Sequence, residues 1–209
     1  MQLFLYLESF MRETLVWFYG LTHSYGVAVI LITLLIRGVL SPLTFHQSKS
    51  MAKMKALQPQ LKALQEKHKS DPKVYQQKMM QVYKENKVNP FGGCLPMLVQ
   101  LPFLWALFQV LRHFDFNTQF LIWNLSDKDP YYILPLLAAG TTFIQSVMTI
   151  SDPQQRMIAY IMPVFIGWIA TGFPVGLVIY WIVSNVFTIV QQWWIYQRLP
   201  ELRGGARTK

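Results

Sequence analysis

The chain has 209 residues, 53% of them hydrophobic and 14% charged, with a net charge of +9. So apolar a balance excludes an ordinary soluble domain and makes a lipid bilayer the natural solvent. Cys94 is the only cysteine, which excludes an internal disulfide and a cysteine-based metal cluster within one chain, and no cofactor is expected.

The N-terminus lacks the basic region, apolar run and small-residue cleavage site of a signal peptide. Over residues 1–22, Phe4, Leu7, Met11, Leu15 and Phe18 fall on one helical face, while Glu8, Ser9, Arg12 and Glu13 fall on the other. This pattern predicts an amphipathic helix lying in the outer membrane interface. The alternative, that it begins the first span, would have to carry Glu8, Arg12 and Glu13 into lipid. A first span follows over 23–46, apolar but for Arg37 and the histidines at its two ends.

Residues 47–89 are rich in lysine, with ten against Glu66, Asp71 and Glu85. Met51, Met54, Leu57, Leu61 and Leu64 recur at threes and fours, and Tyr75, Met79 and Val82 continue that spacing on a second arm. Between the arms, Ser70, Asp71 and Pro72 supply a break, an N-cap and a first-turn proline. The expectation is a helical hairpin projecting into the cytoplasm. It reads equally as a solvated spacer or as a docking surface for an anionic partner.

A bilayer core of about 30 Å needs about 20 apolar residues as helix. Spans two and three are expected over 90–113 and 130–150, separated by an external loop over 114–129. That loop holds Phe114, Phe116, Phe120, Leu121 and Trp123, and it is apolar enough to rest on the outer leaflet. From Met157 to Gln197 no charge interrupts the chain, a length that would make one helix of about 60 Å, two bilayers deep. Gly172, Pro174 and Gly176 are expected to fold it back, giving span four over 151–172 and span five over 173–197. A basic tail occupies 198–209. Positive charge gathered in the hairpin and the tail places both in the cytoplasm, with the N-terminus outside. Five spans satisfy that arrangement.

Arg37 lies twelve residues from Lys49, about 18 Å of helix, too deep to reach the inner headgroups easily. Burying an arginine there costs between about 3 and more than 10 kcal/mol, so water or a partner is required. None of the ten acidic residues lies in the interior of an expected span, Asp152 standing at the very start of the fourth. Polar side chains are available instead. Thr33, Arg37, Ser41 and Thr44 share a face of the first span, Gln100 sits partway along the second, and Thr141, Thr142 and Gln145 cluster in the third. Trp181, Ser184, Asn185 and Thr188 form a stripe on the fifth. Such stripes either line a shared hydrated cavity or act as interhelical hydrogen-bond glue. The residues expected to meet a guest molecule are Arg37, Thr33, Gln100, Trp181, Ser184 and Asn185.

An anion channel or transporter would use the same features, although transporters usually show repeated halves and none stands out here. An intramembrane hydrolase would have to pair Ser184 with His113, which the expected topology places at opposite depths.

A series of motifs runs along the chain, beginning with Tyr25-Gly26, Thr33, Arg37, Pro42 and Leu43. It continues through Asn89-Pro90, Gly93-Cys94-Leu95-Pro96, Gln100 and Pro102, then Pro174-x-Gly176, Tyr180-Trp181 and Asn185. The resemblance these residues carry, over nearly the whole length, is to the YidC/Oxa/Albino insertase family. It implies an all-α membrane protein whose five helices enclose a hydrophilic groove, open to cytoplasm and lipid and closed outward, with Arg37 inside. It implies that the polar segment of a nascent membrane protein enters this groove while its hydrophobic helix slides into lipid beside the first and fifth spans. No covalent chemistry is implied. The partners implied are ribosomes or targeting complexes at the hairpin and tail, and the Sec translocon, in the bacterial cytoplasmic membrane.

Overall fold

The computed structural model describes residues 2–69, 71–86, 88, 95–113, 119–149 and 156–198. Its described residues form eight helices and one two-stranded ribbon. These are α1 (Gln2–Thr22), α2 (Tyr25–Ala56), α3 (Gln58–Lys67), α4 (Pro72–Glu85), α5 (Leu95–His113), β1 (Gln119–Phe120), β2 (Trp123–Asn124), α6 (Ile133–Thr149), α7 (Arg156–Ala170) and α8 (Val175–Arg198). The expectations for Ser70, Asn89-Pro90, Gly93-Cys94, Phe114, Phe116 and the tail beyond Arg198 fall outside the described residues.

Helix α1 stops where His23 takes a left-handed φ of 52° and its N–H caps the Tyr19 carbonyl at 2.7 Å. The expected stripe is its inward face, because Met11 and Leu15 are buried and Leu7 and Phe18 pack beside them against the core. Arg12 and Glu13 are exposed, but so are Leu5, Tyr6, Phe10, Trp17 and Leu21. The helix therefore carries more apolar surface than a two-faced amphipathic pattern needs.

Helix α2 runs unbroken across the expected boundary at 46/47 and ends only at Ala56. The hairpin's first arm is consequently two pieces. A bend at Leu57 precedes α3, because Pro59 sits in the first turn of α3, where no N–H is required. Leu57 and Leu61 then pack with Tyr83 and Val88, flanked by Met54, Met79 and Val82. Asp71 caps α4 as expected, its carboxylate accepting from the Lys73 and Val74 N–H groups at 3.1 Å.

Among the described residues two helices, over Tyr25–Ser50 and Val175–Ile195, are long and apolar enough to cross a membrane, while the apolar stretches Gln100–Leu111, Ile133–Thr149 and Ala159–Ala170 are shorter. Helix α2 packs along α8, α8 along α6, and α6 along α7, with α1 against α2 and α5. The chain turns between α7 and α8 over 171–174, so Gly172 and Pro174 do lie in the expected break. Gly176 does not. It sits inside the first turn of α8, where a Cβ would come within 3.1 Å of the Leu111 methyls and 3.4 Å of the Leu125 carbonyl. Its role is close approach, not helix breaking.

That approach belongs to a cap made by the loop before α6. The Leu125 and Asp127 carbonyls accept the N–H groups of Gly176 and Val175 at 2.9 and 2.8 Å, satisfying donors that the first turn of α8 would leave orphaned. The strands β1 and β2 pair antiparallel and lay the Phe120 ring directly on Gly26, where any Cβ would collide with it. The Asp129 carboxylate, buried, accepts from the Trp123 indole at 2.7 Å, the Tyr131 N–H at 2.9 Å and the Leu134 N–H at 2.7 Å. Burial alone would raise its pKa, but the N–H groups of Leu134 and Tyr131 and the Trp123 indole outweigh it and hold the carboxyl below the ordinary value.

A group depressed on folding contributes stability that is present above its unfolded pKa and lost as pH falls through the lower folded value. Asp129→Asn is accordingly expected to destabilise the protein by about 2 kcal/mol at neutral pH, the scale of hydrogen bonds to a charged acceptor. Thermal unfolding in detergent should show the gap between variant and wild type closing below about pH 4. A gap of constant size down to pH 3 would rule out this role for the carboxylate.

Candidate functional site

Arg37 projects from α2 into the space shared with α5 and α8, where it is half-buried. Its Nη2 donates to Gln100 Oε1 at 3.0 Å, and Gln100 Nε2 donates in turn to the Tyr180 hydroxyl at 2.6 Å. Tyr180 is 1% exposed. The Ser184 hydroxyl, also buried, lies beside the Tyr180 phenol without making a hydrogen bond of good geometry. Three helices thus meet at a cation whose partner is an uncharged amide. Among the described residues no carboxylate pairs with it.

One turn away on the same face of α2, Thr33 is fully enclosed and its hydroxyl donates to the Val29 carbonyl at 2.6 Å. It is wall, not lining. Around it lies the apolar core, made by Val29 and Ile32 from α2, Leu107 and Leu111 from α5, and Val175 and Val178 from α8. These come from the N-terminal halves of α2 and α8 and the C-terminal half of α5, so they share one end of the bundle.

The other end is polar. Thr44 donates to Gln191 Oε1 at 3.0 Å, and Gln191 Nε2 donates to the Ser41 carbonyl and hydroxyl, both at 3.2 Å. Gln192 donates to Thr149 at 2.9 Å. Gln47 is 6% exposed, and neither its Nε2 nor its Oε1 has a partner.

The stripe expected on α8 proves to be two. Trp181 Nε1 donates to Thr142 at 3.1 Å, and Asn185 Nδ2 donates to Thr141 and Thr142 at 3.1 and 2.9 Å, so both residues face α6 and tie the two helices together. Tyr180, Ser184 and Gln191 face the other way. Residues 184 and 185 differ by about 100° around the helix axis, enough to send one to each side. For Trp181 and Asn185 the hydrogen-bond-glue alternative describes the geometry. Tyr180 is missing from the expected set, although its spacing of four from Ser184 and eleven from Gln191 marks a common face. The His113 side chain lies outside the described residues, so no pairing with Ser184 is seen.

A profile described as 60Kd inner membrane protein matches residues 17–202. The chain belongs to this family. Among relatives of the 60Kd inner membrane protein family, the membrane protein insertase YidC of Caldanaerobacter subterraneus subsp. tengcongensis is 41% identical over 201 residues, covering 95% of this chain and 98% of that protein. The protein of the same name from Aeromonas salmonicida is 45% identical over 207 residues, covering 92% of this chain but 37% of its own length. The chain therefore spans nearly all of one curated relative and little more than a third of the other. In three dimensions it matches a structure titled "Active YidC insertase crystal structure with the first transmembrane domain resolved". The TM-score is 0.73 at 31% identity, covering 90% of this chain and 45% of that one.

Proposed function

We propose that this inner-membrane protein inserts hydrophobic segments of nascent proteins into the bilayer, a reading supported by relatives that carry the name membrane protein insertase. In this reading Arg37 and Gln100 are the groups that receive a client's polar segment. The observation that carries the reading is the half-buried guanidinium held by a neutral amide, a cation fixed in place and, among the described residues, left unneutralised. A guanidinium has five donors, so several remain available to a client carboxylate or to water.

The reading takes five spans over 23–46, 90–113, 130–150, 151–172 and 173–197, with the N-terminus outside and the hairpin and tail in the cytoplasm. Under that topology the dry core of Val29, Ile32, Leu107 and Val178 closes the outer half. The tier of Ser41, Thr44, Gln47 and Gln191 forms an inner mouth, whose buried amide groups call for water. Trp181 and Asn185 brace α6 against α8, and Thr33 and Ser184 back the receiving cation. Burial of about 20 client residues drives the step.

The expected exit beside the first and fifth spans needs revision, because α2 and α8 are packed along one another and bonded through Gln191. Helix α5 has no extended contact with α6 or α7 among the described residues. The gap between α5 and the α6–α7 pair is the better exit, and α7 leaves Ile161 and Val164 exposed. Ribosomes or targeting complexes would dock on the basic hairpin and tail, with the Sec translocon as a further partner.

A photocrosslinker in place of Ser41, one turn inward of Arg37, should label a single-span client during its synthesis. The same probe at Leu136, exposed on α6, should not. Equal labelling from both positions would reject a receiving groove.

A further inference from the structure

We propose that Tyr180 is a positioning residue for the receiving cation, its hydroxyl holding the Gln100 amide so that Oε1 faces Arg37. This rests on the reading of Arg37 and Gln100 as the receiving groups.

A primary amide presents an acceptor on one side and two donors on the other. Turned the wrong way, Gln100 would aim its NH₂ at a guanidinium that has only donors, and the cation would lose its fixed partner. With the Tyr180 oxygen 2.6 Å from Nε2, the amide nitrogen already has an acceptor on the side away from Arg37. The phenolic hydrogen then points elsewhere, and the buried Ser184 oxygen beside it offers the only other polar direction described there. From Tyr180 through Gln100 to Arg37, the amide dipole lies with its negative end toward the cation. Neutral groups arranged this way stabilise a charge in a low-dielectric interior without cancelling it. A carboxylate at either place would occupy the cation permanently. Tyr180 is also enclosed among Leu177, Ile179 and the other core residues of α8, so its ring is fixed and its oxygen has little freedom to follow a turning amide.

Tyr180→Phe keeps the ring and its packing while removing the acceptor. In liposomes reconstituted with the full chain, the variant is expected to insert a client with an acidic flanking segment about fivefold less efficiently, the scale of one net hydrogen bond. A client matched except for neutral residues in that segment should lose at most half of its insertion. In a Gln100→Ala background, Tyr180→Phe should cause no further selective loss, since the two residues act as one unit. Equal loss on both clients, equal loss in both backgrounds, or no loss would each overturn the proposal. Arg37→Ala in the same assay separates the two levels. If it is selective for the acidic client and Tyr180→Phe is silent, only the positioning role fails. If Arg37→Ala is not selective, the receiving-group reading fails and this inference with it.

Discussion

Arg37→Ala is expected to reduce insertion of clients with acidic outer segments by about tenfold to a hundredfold, while clients without acidic residues are affected much less. The estimate follows from one or two charged hydrogen bonds at about 1.5 to 3 kcal/mol in total, each 1.4 kcal/mol being a factor of ten. The cation attracts a carboxylate only where water is sparse. The half-buried setting between α2, α5 and α8 provides that, and the neutral Gln100 partner leaves the charge uncancelled. Arg37→Lys should retain part of the activity, because an ammonium keeps the charge but lacks the planar fork that can hold Gln100 and a client at once. Insertion into proteoliposomes, compared across matched acidic and neutral clients, is the measurement. Indistinguishable wild-type and Ala activities on both sets would remove charge attraction from the mechanism.

Gln100→Glu tests availability of the charge where Arg37→Ala tests its presence. The new carboxylate would stand about where Oε1 now lies, 3.0 Å from the guanidinium, and would form an ion pair. Their attraction, about 5 kcal/mol at that distance and an effective dielectric of 20, is offset by desolvation, so thermal stability should hold or rise slightly. Acidic clients should nonetheless be inserted as poorly as by Arg37→Ala, since the cation is already occupied and the carboxylate repels them. A Gln100→Glu protein that is stable and fully active on acidic clients would contradict the mechanism. Loss of stability and loss of activity are thus expected to part company in this variant.

Much of the architecture was readable because it depends on periodicity and punctuation. The inward face of α1, the Asp71 cap of α4 and the turn at 171–174 all follow from residue types at fixed offsets. The need to accommodate Arg37 was readable too, because an arginine among apolar residues is expensive whatever surrounds it, and Gln100 is the polar partner it meets. Azimuth was not. Ser184 and Asn185 are neighbours in sequence about 100° apart around α8, and only Asn185 bonds α6, so one apparent stripe concealed two sides of the helix. Tyr180 escaped because a tyrosine in a span fits an aromatic belt as readily as a buried hydrogen-bond acceptor. Thr33 shares a helix face with Arg37 yet is sealed, since depth along a face decides access and spacing does not report it. The capping of α8 by carbonyls of Leu125 and Asp127 carries no side-chain signature, so only coordinates reveal it.

Helix α2 contains Pro42, whose missing N–H leaves the Gly38 carbonyl without its partner in the helix ladder. The weakest joint of this rod therefore lies just past the arginine, between two pins: Gln100 gripping residue 37 above it and Gln191 gripping residues 41 and 44 below. Swinging of the lysine-bearing arm, whether from thermal agitation or the tug of something heavy bound to it, should spend itself in bending at that hinge. The guanidinium should stay in register while the arm beyond Thr44 sways.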